Sequence, residues 1–263
     1  MTACFPLICP VCGNNLIEEE KRFVCSDGHS YDKARQGYVN LLLSNKQGVH
    51  GDDKLMVKAR REFLDKGYYS PMREAVGKIV GEGNIVLDAG CGEGYYTSVF
   101  AEKNTVCGID VSKDAVKSAS GRCKNVTFAV ASVYELPVAN ESVDVAVNIF
   151  SPDSRAEYLR VLKKGGRLIT VTPMGNHLME LKEAVYDNPY KNAYVDPARD
   201  GFKLVSTKEI KYSVELKCQG DIMSLFSMTP YYYNTSQSDR NKLNSIENMT
   251  VGLEFLICEY TKE

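Results

Sequence analysis

Two stretches of the chain carry acids, glycines, cysteines and a histidine at intervals that suggest ligand binding. The first is Asp88-Ala-Gly90-Cys-Gly92-Glu93-Gly94, an acid followed by three alternating glycines. Glycine lacks a Cβ, so the backbone can turn sharply and lie close to a ligand. A glycine-rich turn between strand and helix is how an open parallel sheet makes a nucleotide site. The competing reading is a tight turn of small residues with no ligand. The second stretch holds Cys9-Pro-Val-Cys12 and Cys25-Ser-Asp-Gly-His29, two pairs separated by twelve residues. Zinc takes four tetrahedral sulfur or nitrogen ligands, and short pairs on turns supply them two at a time. Four protein ligands leave no open position, so a zinc ion on Cys9, Cys12, Cys25 and His29 is predicted to be structural. Cys4 lies too early for this spacing.

The whole chain narrows the setting. It has 263 residues, 44% of them apolar and 25% charged, with a formal net charge of −2. That length allows one large domain and a small one. The charge gives no global sign of a nucleic-acid partner, so a basic patch has to be sought locally. No apolar run is long enough to span a bilayer, and no membrane association is expected. Met1 to Pro10 has neither a basic n-region nor a proper h-region, so a cytoplasmic protein with reduced thiols is expected. The nine cysteines then argue for metal rather than disulfides.

Stepping along the chain, three regions are predicted: a zinc-binding ribbon over 1–35, a basic connector over 36–83 and a catalytic domain over 84–263. In the ribbon, Leu16-Ile17 and Arg22–Val24 read as a hairpin around Glu18-Glu19-Glu20. From Lys33 to Arg73 there are nine basic residues against four acids, a local net of +5, with Tyr31, Tyr38, Tyr68 and Tyr69 interleaved. That suits a phosphate backbone and unstacked bases; a solvated helix face is the plainer alternative. His50 lies in a polar loop. Asp52 or Asp53 is predicted to cap a helix from about Lys54 to Lys66 with Leu55, Met56, Ala59 and Phe63 inward. Gly67 ends it, and Ser70-Pro71 opens another helix with Val76, Ile79 and Val80.

The remainder alternates. Strands are expected at Ile85–Asp88, Thr105–Asp110, Val126–Ala131, Val143–Phe150 and Arg167–Thr172. Helices are expected at about Gly94–Glu102, Ser112–Gly121 and Arg155–Leu162, giving a parallel sheet covered on both faces. Thr207–Cys218 and Val251–Tyr260 look like an antiparallel pair at its edge. Asp110 ends the second strand, 22 residues after Asp88, where such folds place an acid on ribose hydroxyls. The glycines follow GxGxG, however, and Glu93 would repel a phosphate. A cationic ligand with an amino-acid group and a ribose fits better, which points to S-adenosylmethionine. The predicted fold class is therefore α/β: the Rossmann-like sheet of a class I S-adenosylmethionine-dependent methyltransferase, with an N-terminal zinc ribbon.

Several motifs together give a closer resemblance. They are the Cys-Pro-Val-Cys…Cys-Ser-Asp-Gly-His pairs, Gln36-Gly-Tyr-Val-Asn-Leu-Leu42, Ala59-Arg-Arg-Glu-Phe-Leu64, Asp88 to Thr97, Ile109-Asp-Val-Ser112, Thr172-Pro173, His177 to Lys182 and Met228-Thr-Pro230. The chain resembles the RlmA family of 23S rRNA guanine-N1 methyltransferases over nearly its whole length. The resemblance implies zinc on the four ligands named, and S-adenosylmethionine contacts from Gly92, Glu93, Tyr69 and His177. From the residues alone, Tyr69 reads as packing and His177 is open. Asp88, Gly90, Gly94 and Asp110 complete the expected cofactor set. The target implied is a guanine in a 23S rRNA hairpin loop near the peptide exit tunnel, with no DNA partner. One branch of the family contributes to tylosin-type macrolide resistance, and the resemblance also suggests a homodimer.

Guanine N1 must lose a proton to become a nucleophile, and a base is expected within Asn148–Asp153. Asp153 is the residue favoured, with a helix cap as its alternative role. Tyr232 or Tyr233 is expected to stack on the target base, unless both are core. Residues 1–35 are expected to supply RNA affinity and to be removable with cofactor binding intact. Two rival readings are a methyltransferase of another substrate and a non-catalytic zinc protein that binds ribosomes.

Overall fold

The computed structural model describes residues 5–43 and 51–263; Cys4, Lys46 and His50 lie outside the described residues. The chain begins with β1 (Ile17–Glu18), β2 (Arg22–Val24), β3 (Ser30–Asp32) and β4 (Val39–Asn40), then α1 (Lys54–Leu64) and α2 (Ser70–Val80). Next come β5 (Ile85–Ala89), α3 (Thr97–Phe100), β6 (Thr105–Asp110), α4 (Lys113–Arg122), β7 (Thr127–Val130) and β8 (Val143–Ile149). They are followed by α5 (Arg155–Val161), β9 (Leu162–Pro173) and α6 (Met179–Val185). The last third holds β10 (Phe202–Leu216), α7 (Gln219–Ser227), α8 (Tyr231–Asn234), α9 (Gln237–Asn241), a 3-10 turn at Lys242–Ser245 and β11 (Met249–Lys262).

Eight strands form one sheet in the order β10-β11-β9-β8-β5-β6-β7-β4. From β4 to β9 the pairings are parallel, while β11 runs antiparallel to both β9 and β10. β8 reads Val-Asp-Val-Ala-Val-Asn-Ile with all but Asp144 buried, as a strand covered on both faces requires. The strand order reverses between β5 and β8. In an open α/β sheet that switch point opens a ligand crevice at the carboxyl ends of the strands.

Three expectations need correction. The helix predicted from Gly94 begins only at Thr97, because Gly94 has φ +85° and cannot lie in a right-handed helix. On α1, Leu55 is exposed, and the buried face is Met56, Val57, Phe63 and Leu64. Asp53 is the cap, accepting from the Met56 amide at 2.9 Å. Most important, residues 36–83 do not connect two bodies. α1 and α2 place Phe63, Leu64, Met72, Val76 and Val80 in one apolar cluster with Val86, Val147 and Phe255. The basic residues from Lys33 to Arg73 are also largely engaged: Lys33 with Glu18, Lys58 with Glu62, Arg60 with Asp52, Arg61 with Asp65 and Lys66 with Asp221. The solvated-face reading therefore describes α1 better than a free cationic stripe.

The ribbon is equally integrated. β1, β2 and β3 form a three-stranded antiparallel sheet, one strand more than the hairpin predicted. Phe5, Leu7, Leu16 and Phe23 are buried with Ala129, Leu136 and Val138 of the large domain. Leu7 bridges to Val138, and the Ile8 amide donates to the Pro137 carbonyl at 2.9 Å. β4 then pairs with β7 at the sheet's edge. Burying each such side chain is worth about 1.5–3 kcal/mol, so removing residues 1–35 would strip a packed face and not a free module. No helix among the described residues is long and apolar enough to cross a membrane.

Candidate active site and metal centre

The ribbon's turns bring Cys9, Cys12, Cys25 and His29 together, with their ligand atoms all within 4.8 Å of one another. Gly13 and Gly28 take positive φ in the turns beside the two pairs. Cys12 Sγ lies 3.6 Å from Cys25 Sγ, and His29 Nδ1 lies 3.4 Å from Cys25 Sγ. Ligands at about 2.3 Å for sulfur and 2.0–2.1 Å for nitrogen on a tetrahedron sit roughly 3.5–3.8 Å apart. The four residues therefore fit a zinc ion and leave it no open position. Tyr31 supports the set, its hydroxyl 3.0 Å from Cys9 Sγ.

A cavity of about 1010 Å³ opens at the carboxyl ends of β5, β6, β7, β8 and β9. Its volume is at the upper end for one small ligand, leaving room for a second ring system. Gly90, Gly92 and Glu93 line it, as do Asp110, Tyr69 and His177. Asp88 and Gly94 do not. Asp88 is buried behind the turn, where Oδ2 accepts from the Thr97 hydroxyl at 2.6 Å. Burial there pushes its carboxyl up to about 7. At Gly94 a Cβ would sit 3.0 Å from Ala119 Cβ on α4, so this glycine serves helix packing. Among the described glycines of the motif, Gly90 has the strictest requirement: φ is +86° and a Cβ would run into Ser151 Oγ.

Asp110 closes the turn. Its Oδ2 accepts from the Gly92 amide at 3.0 Å and its Oδ1 from the Ser112 amide at 2.8 Å, with lone pairs to spare for hydroxyl donors. Burial raises its pKa, against those two amides. Glu93 is 2% exposed, and Arg122 on α4 holds Oε2 at 2.6 Å. Its charge therefore does not face the cavity bare, as the repulsion argument assumed. Oε1, buried without a partner, is the atom left for a ligand donor.

Tyr69 and His177 meet, with Tyr69 Oη 3.4 Å from His177 Nε2. The Glu254 amide donates to His177 Nδ1 at 3.1 Å, which assigns the ring proton to Nε2. Burial, then the positive charge of Lys182, lowers the His177 pKa to about 3. The ring is thus a neutral donor at any physiological pH. Tyr69 also packs edge-on against Phe63 and Phe255, so packing holds its ring in the cavity wall. Leu178 and Phe150 both line the cavity and both take φ near +58°, at 58° and 57°. Such strain in bulky residues is characteristic of functional sites.

Asp153 is not in the cavity wall, although Ser151 and Pro152 are. It is half exposed, on the turn beyond those wall residues, and pairs with Arg199 at 2.5 Å. Nor does it cap α5, whose N-cap is Ser154. Tyr232 is also turned away, packing on Phe226 beneath Arg240. Tyr231 and Tyr233 line the cavity, and the Tyr233 hydroxyl donates to Asp53 Oδ2 at 2.6 Å. Sequence reading missed Arg60, Asp53, Phe150 and Ser132 as wall residues. Arg60 had a signal, since it lies within the quoted Ala59–Leu64 motif; an exposed Phe directly after a strand was a weaker one.

Residues 7–47 match the family described as the RlmA N-terminal zinc ribbon, and residues 81–227 match a methyltransferase domain. The 23S rRNA (guanine(748)-N(1))-methyltransferase of Streptomyces fradiae is 36% identical over 68% of this chain and 67% of its own length. A protein of Micromonospora griseorubida, provisionally named a 23S rRNA (guanine-N(1)-)-methyltransferase, is 34% identical over 87% of each chain. The chain belongs to this methyltransferase family. A third relative, YxjB of Bacillus subtilis, carries the same provisional name and is 29% identical over 95% of each chain. Among solved structures, the YcgJ protein of Bacillus subtilis shares the fold, with a TM-score of 0.52 and 16% identity over 73% of this chain and 97% of its own. Family membership makes S-adenosylmethionine and zinc the groups this chain uses, and the Cys9–His29 cluster lies within the matched ribbon.

Proposed function

We propose that the protein methylates N1 of a guanine in a hairpin loop of cytoplasmic 23S rRNA. The observation that carries this reading is one cavity with two kinds of wall. One side has the glycine turn, Asp110 and Glu93; another has the half-exposed rings of Phe150 and Tyr233 with the rim carboxylate of Asp53.

S-adenosylmethionine, when bound, supplies an electrophilic methyl group. Asp110 keeps acceptor capacity for ribose hydroxyls, and Ser132-Val133 give a small flat wall after β7. Phe150 and Tyr233 offer ring faces on which an unstacked base can lie. Tyr233 and the Met56 amide hold the Asp53 carboxyl below its usual range. An ionised acceptor there suits the N1–H and N2 amino edge of guanine. N1 would take the methyl as its bond to the sulfonium sulfur breaks, leaving S-adenosylhomocysteine, and the N1 proton would pass to a carboxylate on the cavity wall or to water; holding the two reactants in line is the main catalytic contribution. Leu64, Ile149 and Met228 give the cavity an apolar lining that limits water.

The ribbon and the rim of α1 are the surfaces proposed to meet the RNA outside the cavity. Methyl transfer from tritiated S-adenosylmethionine to undermethylated 23S rRNA, with mapping of the labelled base, tests the reading. Label at N1 of a loop guanine is expected. Label on protein or small molecules, with rRNA unlabelled, would remove it.

A further inference from the structure

The segment 186–201, between α6 and β10, contains no helix or strand, yet it is fastened along its length. Connections longer than about 12–15 residues without secondary structure are uncommon in compact domains and are mostly functional. Asn192 anchors the middle: its amide donates to the Gly175 carbonyl at 3.0 Å and its Nδ2 to the Met174 carbonyl at 2.8 Å. Asn192 Oδ1 accepts from Lys182 Nζ at 2.7 Å and from the Tyr231 hydroxyl at 3.1 Å. Lys182 is 1% exposed, and its ammonium lies 4.7 and 4.9 Å from the rings of Tyr190 and Tyr231. At the far end Arg199 pairs with Asp153 and Asp200 with Arg155, both following β8. The anchors adjoin the cavity, since Tyr231, Pro152 and Pro173 line it.

Between the anchors the segment presents groups that the fold does not use. Tyr194 is 83% exposed and makes no hydrogen bond or ring contact among the described residues. Lys191 is exposed and has no acid partner among them, unlike Arg60 and Arg61 on α1. Asp196 is turned onto the Ala198 amide at 2.8 Å. Ala193, Tyr194 and Val195 wall a second hollow, of about 120 Å³, with Gly175 opposite. Pro173 lines both this hollow and the large cavity, so the two are neighbours across one residue. The one acid of the hollow, Glu209, is paired with Lys211 at 2.7 Å. We infer that this hollow is a subsite for the unpaired nucleotide next to the target guanine, with Tyr194 stacking on its base and Lys191 meeting its phosphate. An exposed ring beside a free cation is the combination that holds single-stranded nucleic acid. The subsite presupposes the rRNA reading of the large cavity and adds a contact to the chain on one side of the extruded base.

Methylation kinetics of the full-length, zinc-loaded protein on a transcript of the labelled hairpin test this. An abasic nucleotide is placed on one side of the target guanine and then on the other. With the unaltered protein, one of these substitutions should raise KM roughly 5- to 150-fold, the range for losing one base–aromatic stack. Tyr194→Ala should raise KM for the intact hairpin by a similar factor and then be indifferent to that abasic site. Tyr194→Phe should keep most of the affinity. Lys191→Gln should weaken hairpin binding in anisotropy titrations and lower its salt dependence by about one phosphate contact. S-adenosylhomocysteine affinity, by calorimetry, should be unchanged in all three variants. An unchanged KM in Tyr194→Ala, or a loss that multiplies the abasic loss instead of replacing it, would overturn the subsite while leaving rRNA methylation standing. A parallel fall in S-adenosylhomocysteine affinity would overturn it too and make the segment a brace for the cavity. If the unaltered protein leaves 23S rRNA unlabelled, the reading of the large cavity fails, and the subsite with it.

Discussion

The zinc ribbon and the glycine-turn cavity both fix polar atoms in space, by opposite means. The ribbon takes its four ligand atoms from Cys9 to His29, a short segment whose turns are completed by the metal. The cavity takes its wall from Gly51 to Tyr233, and it holds its shape through the sheet and the two apolar clusters on its faces. A metal concentrates the determinants of a site into adjacent residues; a sheet distributes them over the chain. The two regions are nonetheless one structure, because β4 pairs with β7 and the cavity residues Ser132 to Tyr134 follow β7 directly.

The largest expected effect tests that connection. Cys25→Ser should lose the zinc and with it the ribbon's fold, since metal binding energy is folding energy in such modules. The stability loss should be at least about 4 kcal/mol, the size reserved for lost metals and broken cores. Metal analysis and urea unfolding measure it. Cofactor affinity should fall as well, because the edge that carries Ser132 loses its outer strand. A variant that loses zinc but binds cofactor normally would show the two regions to be independent after all.

Gly90→Ala probes the opposite kind of site, where backbone and not metal sets the geometry. A side chain there meets both an unfavourable φ of +86° and the Ser151 side chain. Strain of about 1–2 kcal/mol and overpacking of about 1–3 kcal/mol give a loss near 3 kcal/mol. Cofactor binding should drop with it while zinc content stays at one equivalent. Loss of zinc in this variant would erase the contrast between the regions.

These contrasts explain what could be read in advance. The clustering of Cys9, Cys12, Cys25 and His29, the strands from β5 to β9, the antiparallel edge and the place of Asp110 at the end of β6 were legible because each depends on nearby residues or on apolar periodicity. Asp88 and Gly94 looked like ligand residues because motif position does not say which side of a turn a residue faces. Here one hydrogen-bonds Thr97 and the other packs on Ala119, both behind the turn. Arg60, Asp53 and Tyr233 were hidden for another reason: α1 and the segment after α7 reach the cavity only through tertiary packing. The +5 count overstated the free positive charge of its stretch, because charge counted along a sequence ignores ion pairs such as Arg60–Asp52 and Lys66–Asp221.

A pH measurement sharpens the electrostatic half of the cavity. His177 has its native pKa lowered to about 3, whereas an unfolded histidine titrates near 6.5. Below pH 6.5 the unfolded chain binds a proton that the native ring refuses, so stability falls as pH falls from 6.5 toward 3. The slope approaches about 1.4 kcal/mol per pH unit, roughly 2 kcal/mol by pH 5. His177→Gln should remove this component from urea unfolding series at pH 5 and pH 7. An unchanged difference between the two pH values would mean that the ring is already protonated or solvated in the native state.

The smallest effect concerns the residue that the sequence favoured as the base. Asp153 sits outside the cavity wall with its carboxylate on Arg199, which also lies 5.3 Å from the Tyr260 ring. Half-exposed ion pairs contribute about 0–1 kcal/mol, and Arg199 keeps its aromatic contact when the carboxylate is removed. Asp153→Ala should therefore lower stability by less than about 1 kcal/mol and leave the single-turnover methylation rate unchanged. Catalysis by a general base is worth on the order of 100-fold or more, so even a tenfold fall in rate would return Asp153 to the reaction. It would also mean that the turn after β8 moves when RNA binds, since only then could this carboxylate reach a base held against Phe150. An unchanged rate leaves proton removal to groups on the cavity wall itself, with Asp53 at its rim the first to examine.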